Sequence, residues 1–296
     1  MAITKILGRD LLDQHNIIKM IKDSEELPKI PLDFGTIIKM FSEPSDYNMD
    51  QCVEYFSRFP QLGTVLIQEL NYDSKLNREI RTIKEAINYL GAKNAALIII
   101  AYVTRLLIPD RHGRTKLFDN KKYWKHCLAT SMASYMIATE TKLSNKDKMF
   151  TYGLIHDIGV TVLDICLPDY LDKINEMQLK GMHQIVAEKI VLNGITHAEI
   201  GRWICTEWGL PDEISDIVAF HHTPLLADRN MDEVRIIHLA DSISTNYYER
   251  LLGNNTTFIY TNKMMEALNV NREFIEYIIK KIPSEVEKLN KIITFQ

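Results

Sequence analysis

The sequence predicts an all-α protein, an N-terminal helical layer packed on a C-terminal helical bundle, and three observations carry that expectation. Apolar residues recur at three- and four-residue steps through most of the chain, the period of a helix with one buried face. The strict alternation that a half-buried strand needs is scarce. Cap residues, first-turn prolines and terminal glycines fall at the ends of the periodic stretches.

The first clear periodicity runs from Asp50 to Leu70, where Val53, Phe56, Phe59, Leu62, Val65, Leu66 and Leu70 share a face. Pro60 interrupts it and opens a second helix, since proline suits a first turn and breaks an interior. Thr82 to Leu90 forms the next helix, with Thr82 as its cap, Glu85 completing a capping box and Gly91 ending it. Pro109–Asn120 (PDRHGRTKLFDN) is polar, punctuated by Pro, Gly and Asn, and reads as a linker between two periodic regions. The chain accordingly divides into an N-terminal helical subdomain over 1–110, a linker over 111–120 and a second helical subdomain over 121–296. In the second, helices are expected over Lys121–Thr139, Lys146–Cys166, Met182–Leu192, Thr196–Trp208, Pro211–His221, Met231–Leu251, Lys263–Leu268 and Arg272–Asn290. No internal repeat and no low-complexity segment interrupts this plan.

Composition narrows the function classes. The chain has 296 residues, 46% hydrophobic and 25% charged, enough apolar material for one large core or two moderate ones. Its net charge of −4 argues against a broad electrostatic surface for nucleic acid, so no nucleic-acid partner is expected. The amphipathic, repeatedly charged start lacks the form of a secretory signal. The longest apolar run, Ala95 to Val103, is far shorter than the roughly 20 residues that span a bilayer. A cytoplasmic protein without membrane association is expected. Cys52, Cys127, Cys166 and Cys205 are widely spaced with no CxxC pair, which fits reduced, buried thiols. Trp124, Trp203 and Trp208 fall at positions that helical spacing would bury, and Trp124 is close enough in sequence to His126 to wall a pocket there.

The chemistry lies in seven residues strung through the second subdomain: His126, His156, Asp157, His197, His221, His222 and Asp241. Imidazole nitrogens and carboxylate oxygens together suit borderline divalent ions, and an aspartate beside a histidine can bridge two of them. His156–Asp157 sits in the apolar stretch YGLIHDIGV between Gly153 and Gly159, where burying the pair without partners would be costly. Backbone hydrogen bonds are the other way to satisfy it. His197 follows the cap residue Thr196 in the first turn of its helix. The His221–His222 doublet ends a helix just before Pro224, where the dipole also favours histidine. Asp241 is a lone carboxylate on an apolar helix. His238, one turn before it, reads as a core or pocket residue; His15, His112 and His183 read as surface residues.

A lone His, then HD, then H, then HH, then D resembles the HD superfamily of metal-dependent phosphohydrolases, in particular the relatives of HD-GYP phosphodiesterases. The N-terminal half narrows the resemblance: LPKIP at Leu27–Pro31, Asn71 in ELNYDS and TIKEAINYLGAKNAALII from Thr82 resemble the opening of HDOD domains, the HD-related output domains of bacterial signalling proteins. The likeness spans about Leu27 to Leu251. It implies an HD-like bundle with one or two divalent transition-metal ions, iron or manganese before nickel or zinc. His126, His156, Asp157 and Asp241 would hold one ion; Asp157 as the bridge, His197, His221 and His222 would hold the other. Should the chain be an enzyme, the water held at Asp157 would be its nucleophile. Two departures weigh against that. The lysine that HD-GYP enzymes carry three residues after the HD aspartate is Val160 here, and the GYP triplet is absent from HHTPLLADRNMD. Lys122 stands where some of those relatives place a further glutamate ligand, and Arg202 and Lys125 are the nearest candidates for a phosphate contact. The resemblance therefore implies a signal-transduction output module with a retained metal site, acting on a signalling protein partner or a nucleotide ligand and compatible with a homo-oligomer. The alternative is a metal-dependent phosphohydrolase acting on a nucleotide or cyclic dinucleotide.

Overall fold

The computed structural model describes residues 16–27, 48–72, 78–108, 115–251 and 262–294. Fourteen α-helices from Met49 onward lie among the described residues, and no strand occurs there. Residues 16–22 are also helical, with Ile17 and Ile21 buried one turn apart.

The N-terminal layer consists of α1 (Met49–Arg58), α2 (Pro60–Tyr72), α3 (Ile83–Leu90) and α4 (Ala92–Arg105). Pro60 opens α2 as its first residue. Thr82 accepts from the Glu85 amide at 3.2 Å, and the Glu85 carboxylate returns to the Arg81 amide at 2.8 Å, one residue short of a reciprocal capping box. Asn71 clamps the connection into α3, its side chain donating to the Ile80 carbonyl at 2.7 Å and accepting from the Ile80 amide at 2.8 Å. Gly91 takes a left-handed φ of 81°, and there α3 and α4 meet in a bend of 112°. The LPKIP prolines lie outside the described residues, as do 109–114 of the expected linker. The rest of that linker is held in place: the Thr115 hydroxyl donates to Asp164 at 2.7 Å, and the Lys116 and Leu117 amides donate to Asp172.

The second part contains α5 (Asn120–Thr141), α6 (Lys146–Ile155), α7 (Ile158–Cys166), α8 (Pro168–Leu179), α9 (Gln184–Val191), α10 (His197–Glu207), α11 (Asp212–Phe220), α12 (Met231–Leu251), α13 (Asn262–Ala267) and α14 (Arg272–Thr294). Helix α5 is the axis, packed by α6, α12 and α14. Helix α7 crosses α10, and α10 pairs with α11. The last helix, α14, leans on α5 and also on α2 and α4, so it ties both parts together.

Two expectations change. The single helix expected over Lys146–Cys166 is two helices, α6 and α7, because Asp157 leaves helical geometry (φ −101°, ψ 18°). The combined stretch is apolar enough over 21 residues to pass for a membrane span, yet 83% of its most apolar window is buried inside the protein. Helix α8 was not expected; Pro168 in its first turn and Asp169 beside it are the local signals for it.

Glycines set how closely the helices approach around that break. A Cβ on Gly153 would stand 2.5 Å from Ser131 Cα on α5, and one on Gly159 would stand 1.9 Å from the His197 carbonyl oxygen on α10. Gly201 lines the same crossing, where a Cβ would meet Val218 at 2.6 Å. Gly159→Ala therefore drives α7 off α10, and thermal unfolding should report a loss of about 3 kcal/mol. Gly63→Ala is the control. Its Cβ would meet only Ile83 at 3.7 Å inside α2, and it should be neutral or stabilise by up to about 1 kcal/mol.

Candidate metal centre

All seven candidate ligands converge. His126 comes from the middle of α5, His156 and Asp157 from the break between α6 and α7, and His197 from the first position of α10. His221 and His222 follow the end of α11, and Asp241 lies on α12. The local sequence explains these placements. Thr196 and Glu199 form a reciprocal capping box that starts α10 at His197. Asp157 precedes α7 without capping it, because its carboxylate is turned into the cluster.

Asp157 divides the cluster in two. Its Oδ2 faces the Nε2 atoms of His126 and His156 at 3.4 and 3.5 Å. Its Oδ1 faces those of His197 and His221 at 3.1 and 3.3 Å. Asp241 Oδ1 joins the first set, 3.4 Å from His126 and 3.7 Å from His156. His222 joins the second, its Nε2 3.1 Å from that of His197. Each set thus brings at least three ligand atoms within 4.8 Å of one another. Metal–nitrogen and metal–oxygen bonds of about 2.1 Å place neighbouring ligand atoms about 3.0–3.4 Å apart in octahedral or tetrahedral geometry, close to the spacings found.

The outer face of each ring shows why a cation fits. His156 Nδ1 donates to the Gly153 carbonyl at 2.8 Å and His221 Nδ1 to the Val218 carbonyl at 2.8 Å. His197 Nδ1 donates to Glu188 at 2.7 Å. The Ser244 hydroxyl donates to the His126 carbonyl at 3.1 Å, which leaves its oxygen to accept from His126 Nδ1 at 2.9 Å. With Nδ1 of each engaged on its outer side, four rings turn Nε2 inward toward two carboxylates. Asp157 Oδ1 is buried there with no hydrogen-bond donor. A cluster of acceptors facing one another is what a divalent cation satisfies.

Without a cation, protons carry the balance. Burial alone would raise the pKa of Asp157, but His156 and His197 overcome it and hold the acid well below its ordinary range. Asp241 is lowered in the same way, burial being outweighed by His156 and then His222 and His126. Burial would lower His197, yet Glu188 and Asp157 raise it well above an ordinary histidine, and Asp157 and Asp241 raise His156. Burial dominates at His221 and His222, which both fall. Protons on two of the rings and the cations of a metal centre compete for one space.

Several surrounding groups were not identified from sequence. Glu188 is one; a glutamate on a short amphipathic helix gives no sign of being buried. Others are Ser244, Thr245, which donates to Asp241 Oδ1 at 3.1 Å, and Tyr123, whose hydroxyl donates to the Asp157 carbonyl at 2.7 Å. His238 backs the site, its Nδ1 donating to the His221 carbonyl at 2.7 Å. His183 is exposed, while His15 and His112 lie outside the described residues. Trp124 does not wall the pocket; it is buried beneath the Arg105 guanidinium of α4, on the side of the N-terminal layer.

The candidate phosphate contacts Lys125 and Arg202, and Lys122 at the position of a further glutamate ligand, are engaged elsewhere. Lys125 pairs with Glu287 of α14 at 2.5 Å, Lys122 pairs with Asp119, and Arg202 lies over the Phe220 ring. Val160 is buried within α7, so the position three residues after Asp157 offers no charge.

A model of the HDOD domain matches residues 27–224, which takes in six of the seven residues and stops before Asp241. Among solved structures the chain is similar to an HDOD domain protein of unknown function from Geobacter sulfurreducens, at 18% identity and a TM-score of 0.71 over 94% of this chain and 97% of that one. It is also similar to a protein from Shewanella amazonensis SB2B, provisionally described as a phosphohydrolase, at 17% identity and a TM-score of 0.69 over 93% of this chain and 97% of that one. Both likenesses show the fold. Among curated proteins it is similar to an uncharacterized protein of Treponema pallidum (strain Nichols), 23% identical over 199 residues, which are 67% of this chain. The chain spans 38% of that relative's length.

The hydrogen bond beneath Asp157 gives a direct test. Tyr123→Phe leaves the Asp157 carbonyl with the Val160 amide as its other donor and takes away the acceptor of the Thr161 hydroxyl, and denaturant unfolding should record a loss of about 1 kcal/mol. An unchanged midpoint would remove Tyr123 from the support of the turn.

Proposed function

The chain belongs to the HDOD domain family, and on that premise we propose that it is a signal-transduction output module that retains a binuclear metal site and acts through a protein partner or a bound ligand. The observation that carries this reading is a complete ligand set whose nearest candidate phosphate contacts, Lys125 and Arg202, are engaged elsewhere. Two carboxylates and five imidazoles converge around Asp157. Of the cations nearest in sequence, Lys122, Lys125 and Arg202 are all turned to other partners.

His126, His156 and Asp241 with Asp157 Oδ2 would hold one ion, and His197, His221 and His222 with Asp157 Oδ1 the other. Iron or manganese suits this mixture of imidazole and carboxylate, and nickel or zinc is compatible with it. Such ions supply Lewis acidity and charge stabilisation when bound. The protein's own groups do the rest: Gly153, Val218, Ser244 and Glu188 fix the ring tautomers, and burial keeps most of the site from water. His222 is the most open of the imidazoles, its side chain 26% exposed, so a ligand reaches the site on its side.

The surface favours a protein partner. The 3₁₀ turn after the doublet holds Leu225 and Leu226 69% and 70% exposed, beside His222. Val186 and Ile190, one turn apart on α9, make a second exposed apolar pair, with Met182 exposed just before the helix. The second reading, a metal-dependent phosphohydrolase, is favoured by the completeness of the ligand set alone.

Metal analysis of anaerobically purified protein should find two transition-metal ions per chain. A folded protein that neither retains nor rebinds metal would sink the ligand assignment. Asp157→Ala should release both ions, because each set loses an oxygen; retention of both would rule out the bridge. Incubation with phosphodiesters and nucleotides plus manganese or iron should give no turnover. Turnover that disappears in His156→Ala would replace the signalling reading with the enzymatic one.

A further inference from the structure

Glu188 is a buried carboxylate outside the seven residues, 1% exposed on the inner face of α9. It accepts from the His197 amide at 2.9 Å, from His197 Nδ1 at 2.7 and 2.8 Å and from the Gln184 side chain at 2.9 Å. The outer nitrogens of His126, His156 and His221 meet neutral groups instead: a hydroxyl and two backbone carbonyls. Among these four rings, His197 alone backs onto an ion.

The two halves of the cluster differ in charge in a way that gives this contact a purpose. The His126–His156 half has Asp241 Oδ1 at 3.4 and 3.7 Å in addition to Asp157 Oδ2. The His197–His221–His222 half has three imidazoles and the shared Asp157 through Oδ1, while Asp241 approaches it less closely, its Oδ2 3.8 Å from His222 Nδ1. A dication drawn into a buried pocket needs anionic compensation close by. Asp241 supplies it directly on one side. On the other, the nearest remaining carboxylate is Glu188, one ring further out, and a carboxylate on Nδ1–H makes Nε2 a stronger donor to metal.

We infer that Glu188 is a positioning residue for the second metal ion, orienting His197 and supplying the charge that lets the His197–His221–His222 half of the site fill. The inference rests on the binuclear reading and concerns only one of its halves. A purely structural role exists as a competitor, since Glu188 also caps a first-turn amide of α10. Charge and shape are separable by substitution. Gln is nearly isosteric and neutral, whereas Asp is charged and one methylene shorter.

Cobalt(II) titration of metal-free protein, followed by its visible absorption and by bound metal per chain, tests this. In wild type two ions bind. In Glu188→Gln the first should bind as in wild type and the second about 10–100-fold more weakly, with the metal-free melting temperature close to that of wild type. Glu188→Asp should hold the second ion more tightly than Glu188→Gln. The inference is overturned if Glu188→Gln binds both ions as tightly as wild type. It is overturned equally if Glu188→Gln weakens both ions alike, or if Glu188→Asp is the poorer of the two variants, since packing then governs. A wild-type chain that binds fewer than two ions would overturn the binuclear reading first, and is distinguished from these outcomes before any variant is compared.

Discussion

The architecture turns on one buried carboxylate, that of Asp157, which offers one oxygen to each of two histidine sets. Its position is fixed less by its own bonds than by how closely backbones approach around it. Gly153 lets α6 lie against α5, and Gly159 lets α7 lie against the start of α10. With side chains at those two places the turn would be pushed away from both neighbours, and the two oxygens could not face α5 on one side and α10 on the other. The break in the helix is therefore a packing outcome. The apolar stretch is wedged between two helices that each bring a histidine, and the residue in the wedge is an aspartate.

That placement creates an electrostatic problem which the surroundings address ring by ring. Two carboxylates in a closed space repel, and burial makes each costly to ionise. The imidazoles around them relieve this only by taking protons or by sharing a cation. Committing Nδ1 of His126, His156, His197 and His221 to outer acceptors leaves Nε2 as the inward atom of each. The direction of each lone pair is thus set before any ion arrives, which lowers the ordering cost of binding one.

Much of this was legible in the sequence because five of the seven ligands carry a local anomaly, while His126 and Asp241 stand out only in the order of the whole set. A His-Asp pair in an apolar stretch, a histidine doublet before Pro224 and a histidine one residue after a capping threonine are visible without coordinates. Helix existence was legible for the same reason, since periodicity and caps are local: α12 keeps its expected bounds of Met231–Leu251, and Pro60 opens α2 as expected. What was not legible depends on partners distant in the chain. Unbroken periodicity over Lys146–Cys166 conceals a turn that only the neighbours α5 and α10 impose. Glu188 looks like a solvated helix residue until α10 is laid against α9. Lys125 looked available until Glu287, 162 residues later, took its ammonium group.

Holding a metal and using it make different demands on this fold. Holding requires converging lone pairs, which the packing of α5, α7, α10 and α12 supplies. Chemistry on a phosphate would also require a cation placed to meet the charge that develops on the transferred group. The position three residues after Asp157 lies inside α7 and faces the core, so a charge there would itself need a partner; Val160 needs none. An apolar residue at 160 thus suits the buried helix that follows Asp157. Converging lone pairs and a charge facing a phosphate are therefore separate demands on the packing, and a fold can meet the first without the second.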